Sequence, residues 1–179
     1  MAVIGAGAIG GSWAALALAH GLTVRAGDPA PGTDVRLRAT VTAHLADLDT
    51  DPEALDRLTV YPDAAEAAAG ADLVIEAGPE RLDVKRALFA ALDEVAAPDV
   101  VLASSSSGFG PSAFQDACRR PDRVVVAHPF NPPHLVPLVE VVGGKRTSEE
   151  TIKATMTVMT RLGRRPVRVR TELPGHVVN

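Results

Sequence analysis

Apolar positions recur along the chain in two rhythms. Short unbroken runs such as "AVI", "LVIE", "VVLA" and "VVVA" alternate with longer stretches in which apolar residues return every three or four positions. Runs of the first kind read as strands buried on both faces, and stretches of the second kind as helices covering them. The pattern predicts strands at 2–5, 22–26, 58–61, 73–76, 100–103 and 123–127, with two more at 138–142 and 167–169. It predicts helices at 9–20, 33–48, 64–69, 81–96, 112–119 and 148–162. Strand and helix in turn are the signature of a mainly parallel sheet with helices on both faces. The expected class is therefore α/β, doubly wound and Rossmann-type.

Punctuation supports these limits. His20-Gly21 reads as a helix end, with glycine taking the left-handed residue. Thr147-Ser148-Glu149-Glu150 reads as a helix start, with a capping hydroxyl and acids in the first turn. "PAPGTD" is the clearest loop, and no stretch reads as an interdomain linker or a fixed-period repeat.

Composition narrows the class without redirecting it. At 179 residues, 46% hydrophobic and 22% charged, the chain has one domain's worth of length and an ordinary globular balance. A net charge of -4 and only 3% aromatic residues argue against a nucleic-acid partner. The single Cys118 excludes an internal disulfide and suits a reducing, cytoplasmic setting. No apolar run is long enough to span a membrane, and "MAVIGAGAIGG" lacks the basic start and cleavage site of a signal peptide.

"GAGAIG", Gly5 to Gly10, follows the first strand and opens the first helix. Gly5 allows the tight turn, Gly7 lets backbone approach a pyrophosphate, and Gly10 lets helix and strand pack closely. The N–H groups of the helix start, at Ala8 and Ile9, then face the anion. Asp28 lies 18 residues after Gly10, at the end of the second strand. An acid there accepts from the hydroxyls of an adenosine ribose and repels a 2′-phosphate, so NAD is expected over NADP. The loops after the fourth, fifth and sixth strands, with Glu76-Ala77, Glu80, Ser104 to Ser107 and His128, should line one crevice at the carboxyl ends of the strands.

"VVVAHPFNPPHLVPLVEVVGG" carries the second candidate. His128 ends one apolar run and Glu140 lies inside the next, beyond a proline-rich turn. A dehydrogenase of secondary alcohols needs a base for the hydroxyl proton, and imidazole titrates in the right range. A buried carboxylate needs a partner, and one bonded to the far ring nitrogen would fix the tautomer. Pattern alone leaves this open against a structural ion pair or a solvent-facing Glu140. His134 is expected to be a surface or packing residue, and His20 and His44 carry no functional signal. No metal site is expected.

Read together, "VIGAGAIGGSWA", "DLVIEAGPERLDVKRALF", "ASSSSG", "AHPFNPP…LVEVVGG" and "PGHVVN" resemble the NAD-dependent L-3-hydroxyacyl-CoA dehydrogenases, in order and over essentially the whole chain. The 12-residue step from His128 to Glu140 matches that family's catalytic spacing. The resemblance implies His128 as general acid/base, Glu140 as its orienting partner, Ser107 on the substrate's 3-oxygen and Asn179 holding the reacting group. It implies cofactor contacts at Ala77, Glu80 and Lys85, although Lys85 read by itself could equally be a solvated helix position. It further implies that the cofactor domain fills 1–179, and that the family's helical domain, which dimerises and closes the cleft, is absent from this chain. The full-length form is expected to be a homodimer.

One region departs from that family. Pro31 to Val60 carries Asp34, Asp47, Asp49, Asp51, Glu53 and Asp56 against Arg36, Arg38 and Arg57, where the hydroxyacyl-CoA enzymes have a lysine-rich helical pair for the CoA phosphates. "GSWAALALAHGL" and "DPAPG" also resemble the carnitine dehydrogenase and lambda-crystallin branch of the superfamily. The leading expectation is interconversion of a 3-hydroxyacyl-CoA and its 3-keto form. The alternatives are a small 3-hydroxy acid such as carnitine as substrate, or a non-catalytic NAD-binding module.

Overall fold

Four short strands, β1 (Ala2–Ile4), β4 (Leu73–Glu76), β5 (Val101–Ser104) and β6 (Val124–Pro129), are buried at every position, as their unbroken apolar runs require. They form the middle of one eight-stranded sheet in a computed structural model that describes residues 1–173. β2 (Val24–Gly27) and β3 (Leu58–Tyr61) extend one side; β7 (Leu138–Gly143) and β8 (Arg165–Val169) extend the other. The order is β3-β2-β1-β4-β5-β6-β7-β8. The first six strands are parallel, β7 returns antiparallel to β6, and β8 runs parallel to β7. Strand order reverses between β1 and β4, and a sheet of this kind binds ligands outside the carboxyl ends of the strands at that switch point.

Among the described residues five α-helices cover the two faces: α1 (Ala8–Ala19), α2 (Thr33–Asp47), α3 (Ala64–Ala68), α4 (Leu82–Val95) and α5 (Glu149–Arg161). Alternate strand residues divide the core. Val3, Ile75 and Val125 face Trp13, Leu16, Leu37 and Met159 on one side. Ile4, Val74 and Leu102 face Phe89, Leu92 and Phe114 on the other. α1 is sheathed almost completely, which its small residues allow; α4 buries only the stripe Lys85, Phe89, Leu92 and Asp93. Asp63 and Ser148 cap α3 and α5 through their side-chain oxygens, and Gly21 takes a φ of 78° after α1.

One expected element is absent. Residues 112–119 do not form a helix but two single 3-10 turns, Pro111–Ala113 and Gln115–Ala117. The segment is held by its side chains: Phe114 is buried against Phe89 with ring centroids 4.6 Å apart, and the Gln115 amide donates to the Pro121 carbonyl. Packing of this kind overrides a short helical pattern. A further 3-10 turn at Pro52–Arg57, capped by Asp51, was not expected from the pattern. No helix of the described residues is long and apolar enough to cross a membrane.

Candidate functional site

The glycine turn has the geometry its spacing predicts. Gly5 sits at φ 96°, with Ala77 O only 2.6 Å from where a Cβ would lie. A Cβ on Gly10 would lie 1.8 Å from Gly5 O, so nothing larger fits between helix and strand. At Gly7, by contrast, a Cβ would meet nothing within 4 Å. Gly7 and Ala8 are exposed, Ile9 is half-buried behind them, and no side chain caps the start of α1. Open backbone at a helix N-terminus is what a pyrophosphate requires.

Asp28 follows β2 and ties the glycine turn to its own loop. Its Oδ2 accepts from Ala6 N–H at 2.8 Å and its Oδ1 from Ala30 N–H at 2.9 Å. Thr33 Oγ1 also lies 3.4 Å from Oδ1 but is closer, at 2.6 Å, to the Ala30 carbonyl that takes its proton, so of a carboxylate's roughly four acceptor sites about two remain for ribose hydroxyls. Asp28 also lines a groove of about 390 Å³ with Gly5, Gly78, Pro79, Val84 and Leu88. An apolar slot with an acid on its rim fits an adenosine half. The two arginines near the end of the second strand are committed elsewhere: Arg25 donates to the Ala67 and Glu66 carbonyls and lies over the Tyr61 ring, and Arg36 donates to the Pro31 carbonyl and Thr33 Oγ1. These residues fit NAD.

Beside the groove lies a buried charge cluster. Lys85 is 1% exposed, not a solvated helix residue, and its Nζ lies 3.0 and 2.9 Å from the two Glu76 carboxylate oxygens and 3.4 Å from Glu80 Oε2. Glu76 also accepts from Ser104 Oγ at 2.6 Å and Gly78 N–H at 2.7 Å. Glu80 Oε1 accepts from Ser106 Oγ at 2.5 Å and Gly108 N–H at 2.8 Å. Burial pushes the Glu80 carboxyl upward, but the Ser106 and Gly108 bonds and the Lys85 charge together outweigh it and hold it below the usual range. The cluster thus ties the loop after β4 to the loop after β5, with Lys85 acting from beneath. The sequence placed Glu76 in the crevice but did not pair it with Lys85. The signal was present: an acid closing the apolar run "LVIE" needs a partner, by the argument applied to Glu140.

His128 and Glu140 are direct cross-strand partners on β6 and β7, and Nδ1 lies 2.9 Å from Glu140 Oε2. Both are buried, with side-chain exposures of 9% and 3%. An ionised carboxylate only accepts, so Nδ1 donates, and the neutral ring's basic atom is Nε2. His128 lines a cleft of about 270 Å³ with Ile9, Ser105, Ser107, Phe130 and Asn131. The fifth- and sixth-strand loops and the glycine helix therefore meet there, as the topology predicts. Asn179 lies outside the described residues.

The proline turn is anchored from outside the cleft. His134 is buried, with Nδ1 3.1 Å from Ser12 Oγ and Nε2 3.2 Å from Asp47 Oδ2, and its ring stacks on His44 at 3.9 Å. Burial, and then the neighbouring His134, hold the His44 imidazole below its ordinary range. Arg164 donates to the carbonyls of Pro133, His134 and Val136. Cys118 is no candidate nucleophile: burial, with Asp93 adding to it, pushes its thiol up to about 12. Among the described residues no cluster of three or more His, Cys, Asp or Glu side chains could hold a metal.

Comparison with known proteins agrees with this geometry. An L-carnitine dehydrogenase of Pseudomonas putida is 46% identical over 99% of this chain and 57% of its own length. One from Streptomyces coelicolor is 43% identical over 100% of this chain and 58% of its own. The chain thus spans a little over half the length of these curated relatives. Among solved structures, an (S)-3-hydroxybutyryl-CoA dehydrogenase from Ralstonia eutropha superposes with a TM-score of 0.91 at 30% identity, over 99% of this chain and 65% of that one. The family model described as "3-hydroxyacyl-CoA dehydrogenase, NAD binding domain" matches residues 1–172. The chain belongs to the 3-hydroxyacyl-CoA dehydrogenase family, and the matched residues are its NAD-binding domain.

Proposed function

We propose that this domain serves an NAD-dependent dehydrogenase that oxidises the 3-hydroxyl of a small hydroxy acid of the carnitine type, with His128 as the general acid/base. The observation that carries the reading is the buried His128–Glu140 pair opening on a cleft that adjoins the glycine turn. Gly5, Gly7, Ala8, Ile9 and Gly10 would hold the pyrophosphate, Asp28 the adenosine ribose, and Ala77 and Glu80 the wall of the groove. Bound NAD would supply the hydride acceptor for the carbon bearing the hydroxyl. The hydroxyl proton passes to His128 Nε2. Glu140 orients the ring through Nδ1 and stabilises the imidazolium that forms, while Ser107 donates to the substrate oxygen. Lys85 acts on the cofactor wall through Glu80 and Glu76.

The choice of substrate rests on two further observations. The relatives at 46% and 43% identity are L-carnitine dehydrogenases. The 31–60 segment also offers six acids against three arginines, and all three arginines are engaged internally, Arg38 with Asp34, Arg36 with the Pro31 carbonyl and Arg57 with the Leu18 carbonyl. Such a surface suits the phosphates of CoA poorly. The second reading, a 3-hydroxyacyl-CoA substrate, draws on the family itself and on the Ralstonia eutropha structure. Steady-state kinetics on the protein at its full encoded length discriminate them: kcat/KM with NAD should be higher for L-carnitine than for 3-hydroxybutyryl-CoA. The reverse order would overturn the proposed substrate class.

A further inference from the structure

We infer that Trp13 is a positioning residue whose indole N–H fixes the Ser105 hydroxyl as a hydrogen-bond donor into the reaction cleft, toward a carbonyl-type oxygen of the bound ligands. The inference rests on the reading of that cleft given above. Trp13 is the only tryptophan of the sequence, is fully buried on α1, and places Nε1 3.0 Å from Ser105 Oγ. Ser105 sits one residue past β5, held by its N–H donation to the Glu76 carbonyl at 2.7 Å, and lines the cleft beside Ser107 and His128.

An indole N–H donates and never accepts, so Ser105 Oγ must be the acceptor in this bond. One lone pair is thereby turned toward the protein wall, and the hydroxyl proton is left for another partner. Ser104 and Ser106 give their protons to carboxylates, at Glu76 and Glu80. Ser105 differs: among the described residues its own proton meets no acceptor. Accepting on one side also polarises the O–H and strengthens donation on the other. The ligand group that fits is an acceptor oxygen, either the nicotinamide carboxamide oxygen or the keto oxygen of the oxidised substrate. A ligand N–H does not fit as well, because one lone pair of Ser105 is already used.

The test uses the protein at its full encoded length, with Ser105→Ala, Ser105→Thr, and Trp13 replaced by benzothienylalanine, which exchanges the indole N–H for sulfur at nearly constant ring shape. NADH affinity is read by fluorescence titration, and kcat and KM by steady-state kinetics. Ser105→Ala and the benzothienyl variant should each lose about tenfold, the worth of one neutral hydrogen bond. Combining them should lose no more than Ser105→Ala alone, and Ser105→Thr should stay within about threefold of the parent. Loss in NADH affinity identifies the carboxamide as the acceptor; loss in kcat or KM at unchanged affinity identifies the substrate oxygen. A folded benzothienyl variant with parental affinity and kinetics overturns the proposal, as does a fully active Ser105→Ala. His128→Gln serves as the separating control. If it is crippled while these variants are normal, only the present inference fails; if it is fully active while these lose tenfold, the acid/base reading fails and this one stands.

Discussion

Replacing Lys85 by methionine removes the ammonium from a cluster in which Lys85 and Glu76 side chains are each 1% exposed. Among the described residues the Glu76 carboxylate then keeps two hydrogen-bond donors, Ser104 Oγ at 2.6 Å and Gly78 N–H at 2.7 Å. Breaking a buried ion pair from one side costs about 3–5 kcal/mol, because the remaining charge stays desolvated. Two surviving hydrogen bonds place this case near the lower end, about 3 kcal/mol. In a domain of this size each kcal/mol lowers the melting temperature by about 2–4 °C, so Lys85→Met should melt roughly 6–12 °C early by circular dichroism. The double variant Glu76→Gln/Lys85→Met carries no buried charge at this pair and should recover much of the loss. NADH affinity should fall in the single variant as well, because Glu80 loses the cation that steadies the groove wall. A Lys85→Met protein as stable as its parent, or a double variant that loses more than Lys85→Met alone, would refute the claim that Glu76 is held by this pair.

Two further outcomes are expected. Gly10→Ala forces a Cβ to within 1.8 Å of Gly5 O and should lower stability by about 3 kcal/mol as well as abolishing tight NADH binding, whereas Gly7→Ala, whose Cβ enters open space, should keep its melting temperature and lose affinity alone; calorimetry and NADH titration on the two variants separate them. Glu80 sits below its ordinary value of 4.5, so its stabilising contribution is complete above that pH and is lost as the pH falls through the lower folded value; melting curves taken from about pH 6 to about pH 3 should show a smaller acid loss for Glu80→Gln than for the parent.

The middle of the sheet was legible because β1, β4, β5 and β6 are buried on both faces, so unbroken apolar runs mark them. β3 and β4 have the limits that "LTVY" and "LVIE" suggest, and the other strands differ by one or two residues at one or both ends. The 112–119 helix was misread because a short pattern cannot reveal that Phe114 is drawn into the core and that Gln115 bonds across to Pro121. At the site, spacing exposed what depends on adjacent strands: the His128–Glu140 pair is a cross-strand contact between two segments joined by one turn. Contacts between distant segments were not legible. The Trp13–Ser105 bond spans 92 residues, and the His134–Ser12 bond spans 122. His134, expected to be a surface or packing residue, is buried, through partners on α1 and α2 that no local pattern names.

The central claim is that the imidazole at 128, aligned by Glu140, handles the proton of the substrate hydroxyl. Its most direct test is His128→Gln, measured for NADH affinity and for turnover with L-carnitine in the protein at its full encoded length. Unchanged affinity with a fall in kcat of about 10²–10⁴ is the predicted result, the range a positioned acid/base supplies. Parental turnover by His128→Gln would contradict the account.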